Sequence, residues 1–211
     1  MDWDESSTDI DRILGYRVGE IERELLERAL AFGPGNNHHS WGALLHSGNQ
    51  TWVGLHPDSI QTPYSELLRM TEKLSLRPGD KVVDFGAGYG RLGILLHKLH
   101  PSVNFHGIEY VPERVTEGKR VYEIQGLDSA TLSCGDLTSL DFFPEKADHY
   151  FVYDFGKVPH IRELLQKLSR VADTHKFTVT GRGKGIRSLI AHEFPWLTSI
   201  YDEENFSIYS F

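Results

Sequence analysis

Residues 81–211 alternate between short apolar runs and longer segments of helical period, and this alternation constrains the fold more than any other feature. The strand candidates are Lys81–Phe85, Asn104–Tyr110, Ala130–Cys134, His149–Asp154, Lys176–Thr180, Thr198–Tyr201 and Phe206–Phe211. Between them, Tyr89–Leu99, Pro112–Gln125, Val158–Val171 and Gly185–Phe194 read as helices. Helical crossovers of this length join parallel strands and cover both faces of a sheet. The pattern therefore predicts a doubly wound α/β architecture with a mostly parallel seven-stranded sheet. The last two strands are separated only by Asp202-Glu203-Glu204-Asn205, too short for a parallel crossover, so they are expected to form a C-terminal antiparallel hairpin.

Ahead of this region the pattern changes. Val18, Ile21, Leu25, Leu26, Ala29 and Leu30 have helical spacing between Gly15 and Phe32, and Gly33-Pro34-Gly35-Asn36-Asn37 should stop that helix. Residues 1–12 are polar and acidic and read as a frayed end. Residues 36–58 lack periodicity but contain Trp41 and Trp52, which are costly to leave in water, so an irregular packed segment is expected. A further helix is expected over Pro63–Leu76, with Leu67, Leu68, Met70 and Leu74 inward. This divides the chain into a helical and irregular N-terminal extension, 1–58, suited to act as a lid, and a main domain, 59–211.

Bulk properties narrow the function. A formal net charge of -8 argues against nucleic acid held by diffuse phosphate attraction, which requires the opposite sign, and leaves a local basic patch as the one route to such a partner. The single cysteine, Cys134, excludes an intramolecular disulfide and suits a reducing compartment. No apolar run is long enough to span a bilayer, and Met1-Asp2-Trp3-Asp4-Glu5 lacks the basic start of a signal peptide, so a cytoplasmic protein is expected.

The chemistry centres on Lys81-Val-Val-Asp-Phe-Gly-Ala-Gly-Tyr-Gly-Arg-Leu-Gly93, a strand ending in a glycine-rich turn. Gly88–Gly93 matches G-x-G-x-x-G, and Glu109 lies about 20 residues on, where a ribose-binding acid is expected. That pattern serves a dinucleotide or S-adenosylmethionine equally. Asp84 separates them: a pyrophosphate on this turn would meet its charge at close range, whereas an ammonium or sulfonium is attracted to it. Gly86, Gly88 and Gly90 allow close backbone approach. Glu109 can accept two ribose hydroxyl hydrogen bonds, Tyr110 can lie on an adenine face, and Asp136 of Cys134-Gly135-Asp136 can accept from an exocyclic amine.

Asp84-x-Gly86-x-Gly88-x-Gly90, Glu109 and Gly135-Asp136, in this order, resemble the class I (Rossmann-like) S-adenosylmethionine-dependent methyltransferases. The resemblance covers roughly residues 60–211. It implies S-adenosylmethionine as cofactor, with Asp84 and the turn Gly86, Gly88, Tyr89 and Gly90 at the methionine part. Glu109 and Tyr110 would meet the ribose and adenine, and Gly135 and Asp136 the adenine. Thr62-Pro63-Tyr64 is similar to a segment of the lysine methyltransferases of this class, which puts Thr62 and Tyr64 beside the cofactor's methionine end. The alternatives are an NAD-dependent oxidoreductase, favoured only by Gly88–Gly93 and Glu109, and a non-catalytic scaffold of the same fold.

The fourth strand ends at Tyr153-Asp154-Phe155-Gly156, where the resemblance implies that the methyl group is presented. Asp154 and Tyr153 are the candidate catalytic residues, taking or holding a proton of the acceptor. The Asn/Asp-Pro-Pro motif of adenine and glutamine-amide methyltransferases is absent. The expected acceptor is a nitrogen nucleophile, a protein lysine or a small molecule. Four basic residues and no acid lie between Lys176 and Arg187, which reads as a basic loop. The histidines scatter, His38-His39 being adjacent and His97 and His100 sharing a helix face, and no metal site is expected.

Overall fold

The computed structural model describes residues 1–32, 52–54 and 60–211. The predicted helix stop at 33–37, Trp41 and His38-His39 lie outside them. The elements run α1 (Ser7–Leu14), α2 (Val18–Phe32), α3 (Tyr64–Glu72), β1 (Lys81–Phe85), α4 (Arg91–Leu99), β2 (Asn104–Glu109), α5 (Pro112–Gln125), β3 (Ala130–Cys134), β4 (His149–Tyr153), α6 (Val158–Ala172), β5 (Thr178–Arg182), α7 (Lys184–Glu193), β6 (Thr198–Asp202) and β7 (Phe206–Ser210).

These strands form one sheet of order β3-β2-β1-β4-β5-β7-β6. The strands from β3 to β5 pair in parallel, and β7 runs antiparallel between β5 and β6. This is the doubly wound, mostly parallel sheet with its antiparallel C-terminal hairpin. Its order reverses between β1 and β4, which opens a crevice at their carboxyl ends, where ligands of such sheets bind.

Alternation along the strands divides the core. Val82, Phe105, Phe151, Phe206 and Ile208 pack with Leu92, Leu95, Val115 and Tyr122 of α4 and α5, and the same cluster includes Ile10, Leu14, Ile21 and Leu25 of α1 and α2. Val83, Phe85, Tyr150, Val152 and Val179 face the other way, onto Ile161, Leu164, Leu165 and Leu168 of α6 and Ile186, Leu189 and Ile190 of α7. The helical extension thus shares a core with one face of the sheet.

Two expectations need correction. Residues 1–12 are not simply a frayed end, because α1 begins at Ser7. The Ser6 hydroxyl caps it by accepting from the Asp9 N–H at 3.2 Å. Ile10 and Leu14 are buried, and Asp11 pairs with Arg91. The fifth strand lies two residues later than expected, so Gly181 and Arg182 belong to β5 and the basic loop contracts to the start of α7. Among the described residues, no helix is long and apolar enough to cross a membrane.

Candidate functional site

A cavity of about 390 Å³ opens at the carboxyl ends of β1, β2 and β4. Gly86 and Gly88 follow β1, Glu109 ends β2 with Tyr110 just beyond it, and Tyr153 ends β4 with Asp154 and Phe155 just beyond it; all line the cavity. A smaller pocket adjoins it, sharing Gln61, Gly86, Gly88 and Tyr153 and adding Thr62, Asp84 and Arg91. Residues far apart in sequence thus meet because parallel strands end together.

The turn after β1 is shaped for close approach. Gly86 has φ 84° and Gly88 φ 56°, in the left-handed region that side-chain-bearing residues rarely adopt. A Cβ on Gly86 would lie 2.7 Å from the Phe155 Cβ. The N–H groups of Gly86 and Ala87 both donate to the Ile108 carbonyl, at 2.9 and 3.0 Å, which ties the turn to β2.

Glu109 is 4% exposed. Its Oε2 accepts from the Gly88 N–H at 2.9 Å and its Oε1 from the Val111 N–H at 3.0 Å. Each oxygen keeps a further lone pair for a ligand hydroxyl. Asp84 differs: no hydrogen bond or ion pair to it is found among the described residues. Burial, reinforced by repulsion from Glu109, raises its carboxyl pKa to about 7. A positively charged ligand group beside it would favour the ionised form.

Gln61 supplies a second unmet group. It is 6% exposed and lines both pockets, yet neither its Nε2 nor its Oε1 finds a partner among the described residues. Buried amides are normally hydrogen-bonded, so these atoms mark a position for a polar ligand. The glycine turn, the uncompensated Asp84 and the orphaned Gln61 fit the amino-acid end of S-adenosylmethionine.

Asp154 lies in the cavity wall, but its oxygens are engaged. Oδ2 accepts from the Gly185 N–H at 2.9 Å and Oδ1 from the Ile186 N–H at 2.8 Å, capping α7. The structure thus gives this carboxylate a structural task, holding the start of α7, in place of the expected catalytic one. Tyr153 lines both pockets, with the Arg182 guanidinium 4.2 Å from its ring centroid. Arg182 is paired in turn with Glu66 of α3 at 2.9 Å.

Several expected ligands lie elsewhere. Tyr64 is fully buried, its hydroxyl 3.1 Å from Asp11 and its N–H donating to the Ser7 hydroxyl, so it anchors α1 and lines neither pocket. Tyr89 is likewise buried, donating to Glu22 of α2 at 2.9 Å. Gly90 heads α4 with its carbonyl accepting from Tyr122 at 2.7 Å. Gly135 and Asp136 are absent from both linings. Asp136 is exposed, and its Oδ1 accepts from the N–H and hydroxyl of Thr138, at 2.8 and 2.6 Å. Thr62 borders the smaller pocket, its carbonyl accepting from Arg91 at 3.3 Å.

Trp52, Arg114 and Lys184 join the lining without having been singled out as site residues. Trp52 donates from Nε1 to the Phe155 carbonyl at 2.8 Å, and its own carbonyl accepts from Arg114 at 2.7 Å. It therefore bridges the β2 and β4 sides of the crevice. The cost of exposing a tryptophan was the available signal. Gln61 stood in the segment before Thr62, but nothing in the sequence indicated that its amide would be buried without a partner.

Comparison with known proteins supports the fold reading. Residues 82–174 match the family described as "Methyltransferase domain". Among solved structures, an RNA methyltransferase from Salinibacter ruber in complex with S-adenosyl-L-homocysteine superposes with a TM-score of 0.52 at 22% identity, covering 72% of this chain and 92% of that one. The chain has the fold of the class I S-adenosylmethionine-dependent methyltransferases.

Among curated relatives, ribosomal RNA small subunit methyltransferase G of Porphyromonas gingivalis is 30% identical over 107 residues, 50% of this chain and 47% of the relative. The protein of the same name from Parabacteroides distasonis is 34% identical over 64 residues, 30% of this chain and 28% of the relative. The chain spans about half or less of these relatives. Their names overturn the expectation, drawn from net charge, that nucleic acid is not a partner. A charge summed over a whole chain does not describe the surface around one cavity.

Proposed function

We propose that this protein binds S-adenosylmethionine at the crevice between β1, β2 and β4 and transfers its methyl group to a nucleophile in RNA. The observation that carries the cofactor reading is Asp84, a half-buried carboxylate with no partner found among the described residues, beside a glycine turn and an unsatisfied Gln61 amide. A diphosphate would be repelled there and an ammonium attracted. When bound, the cofactor supplies an electrophilic methyl on a sulfonium. Methyl transfer then asks little of the protein beyond alignment of nucleophile, methyl and sulfur.

The chain's own groups divide this work. Asp84 and Gln61 hold the amino-acid end, the turn at Gly86 and Gly88 admits the backbone approach, and Glu109 accepts from the ribose hydroxyls. Tyr153, fixed by Arg182, forms the wall near the reacting centre, and Asp154 fixes the start of α7. The RNA reading rests on the relatives' names. It is supported by Trp52, Tyr110 and Tyr153 in the lining, aromatic surfaces on which an unstacked base can lie, and by the exposed Lys184 at the rim. A lysine or small-molecule acceptor is the outcome that would replace it.

Calorimetric titration tests the cofactor. S-adenosylmethionine should bind and NAD should not; the reverse result ends this reading. Asp84→Asn should weaken binding at least about tenfold, by loss of a charge-assisted contact. Affinity for S-adenosylmethionine should rise between pH 6 and 8, because Asp84 ionises near pH 7 and only the carboxylate attracts a cation. Incubation of the labelled cofactor with ribosomal RNA, mixed protein and small amines in parallel identifies the acceptor. Label in protein or amine, with none in RNA, would remove RNA from the proposal.

A further inference from the structure

One arginine connects the N-terminal helices to the floor and wall of the cavity. Arg114, on α5, is 4% exposed. Its Nε and Nη2 donate to the two carboxylate oxygens of Glu22 on α2, at 2.8 and 3.0 Å. Nη2 also reaches the Trp52 carbonyl at 2.7 Å. Its Nη1 lies 3.6 Å from Glu109 Oε1, too far for a hydrogen bond but near enough for attraction. Glu22 is also buried and accepts from the Tyr89 hydroxyl at 2.9 Å, while Glu109 accepts from the Gly88 N–H at 2.9 Å.

The arrangement is a competition. A buried guanidinium beside two buried carboxylates grips the one that meets its fork best, and here that is Glu22. Glu109 is stabilised by the nearby charge but keeps the lone pairs that a bidentate arginine would occupy. Without the Glu22 charge, Arg114 would be drawn onto Glu109 and would release the Trp52 carbonyl.

We propose that Glu22 and Arg114 are positioning residues for nucleoside recognition: Glu22 holds Arg114 back from Glu109, which leaves Glu109 free for the ribose hydroxyls, while Arg114 pins Trp52 to the cavity wall. Helix α2 is then part of the nucleoside site, although Glu22 does not itself line the cavity. The inference rests on the reading of Glu109 as the ribose acid.

The test measures ribose discrimination. Full-length protein is titrated with S-adenosylhomocysteine and with its 2′-deoxyribose analogue, and the ratio of the two affinities is compared between variants. The wild-type ratio should be about tenfold or more, the value of a hydrogen bond to a charged group. Glu22→Gln should bring it down to about twofold, and Glu22→Asp, which keeps the charge, should restore most of it. Loss of fold lowers both affinities together and leaves the ratio unmoved, so the ratio separates positioning from stability. If Glu22→Gln destabilises the chain too far for titration, Arg114→Lys serves in its place. It keeps the charge without the fork and should also lower the ratio. An unchanged ratio in the variant measured overturns the proposal. A wild-type ratio near one would overturn it through Glu109 while leaving cofactor binding itself intact, and failure of the wild type to bind S-adenosylhomocysteine would remove the cofactor reading and this proposal together.

Discussion

The two faces of the sheet are held by different means. Under α6 and α7 the contact is aliphatic and aromatic: Ile161, Leu164, Leu165, Leu168, Ile186 and Ile190 against Phe85, Tyr150, Val152 and Val179. On the opposite face, α1, α2 and α3 bring buried carboxylates to two buried arginines and one half-buried one. Asp11 meets Arg91, Glu22 meets Arg114 and Glu66 meets Arg182. Desolvated ion pairs add little net stability, since burial of the charges offsets most of their attraction. Their positions suggest another use. Arg91 lines the smaller pocket, Arg114 lines the larger, and Arg182 stacks on Tyr153. Apolar packing fixes one layer against the sheet, whereas each ion pair fixes a direction, and all three directions lead to the crevice.

This contrast can be broken experimentally. The largest effect is expected from Arg91→Met, which removes the cation beside the buried Asp11 and should cost about 3–5 kcal/mol in chemical denaturation. Combining it with Asp11→Leu should recover most of that loss, because the buried negative charge is gone; a double variant as unstable as the single would show that the pair carries stability after all. On the apolar face, Leu165→Ala should cost about 3 kcal/mol by leaving a cavity. Its cofactor affinity, measured on folded protein, should stay at the wild-type value. A loss of affinity there would erase the distinction between the faces.

Acid offers a subtler probe. Burial alone would push the Glu117 carboxyl up, but hydrogen bonds from Arg120 and Arg17 outweigh it and hold the pKa at about 2. A depressed carboxylate contributes stability above its unfolded pKa and loses it as pH falls through the folded value. Stability should therefore fall between about pH 4.5 and 2, and Glu117→Gln should flatten that part of the curve. The smallest effect belongs to Ser6→Ala, about 1 kcal/mol from the lost cap of α1, read as faster amide exchange at Asp9.

Local chemistry made most of the fold and part of the site legible. Runs such as Val82, Val83 and Phe85 identify a strand buried on both faces, and Asp84 with the glycine turn marks its ligand end. What sequence could not settle was the direction of side chains whose partners are distant. Tyr64 and Tyr89 stand beside the motif and read as ligands, yet their hydroxyls turn to Asp11 and Glu22, 53 and 67 residues away. Asp154 read as a proton acceptor because it ends a strand near the expected methyl position; that it caps α7 depends on a helix start 31 residues on. The first helix was hidden because its acidic residues, Asp9 and Asp11, look solvated until Arg91 is brought to the second of them.

The seating of β7 between β5 and β6 bears on how the molecule is built during synthesis. β7, made after both of its neighbours, is an interior plank that pairs with one on either side. Until Phe206–Ser210 leaves the ribosome, β5 presents a bare hydrogen-bonding edge and β6 has nothing to dock on. A nascent chain of this protein is therefore exposed to mispairing until β7 emerges, and deleting Phe206–Ser210 should leave an aggregation-prone sheet.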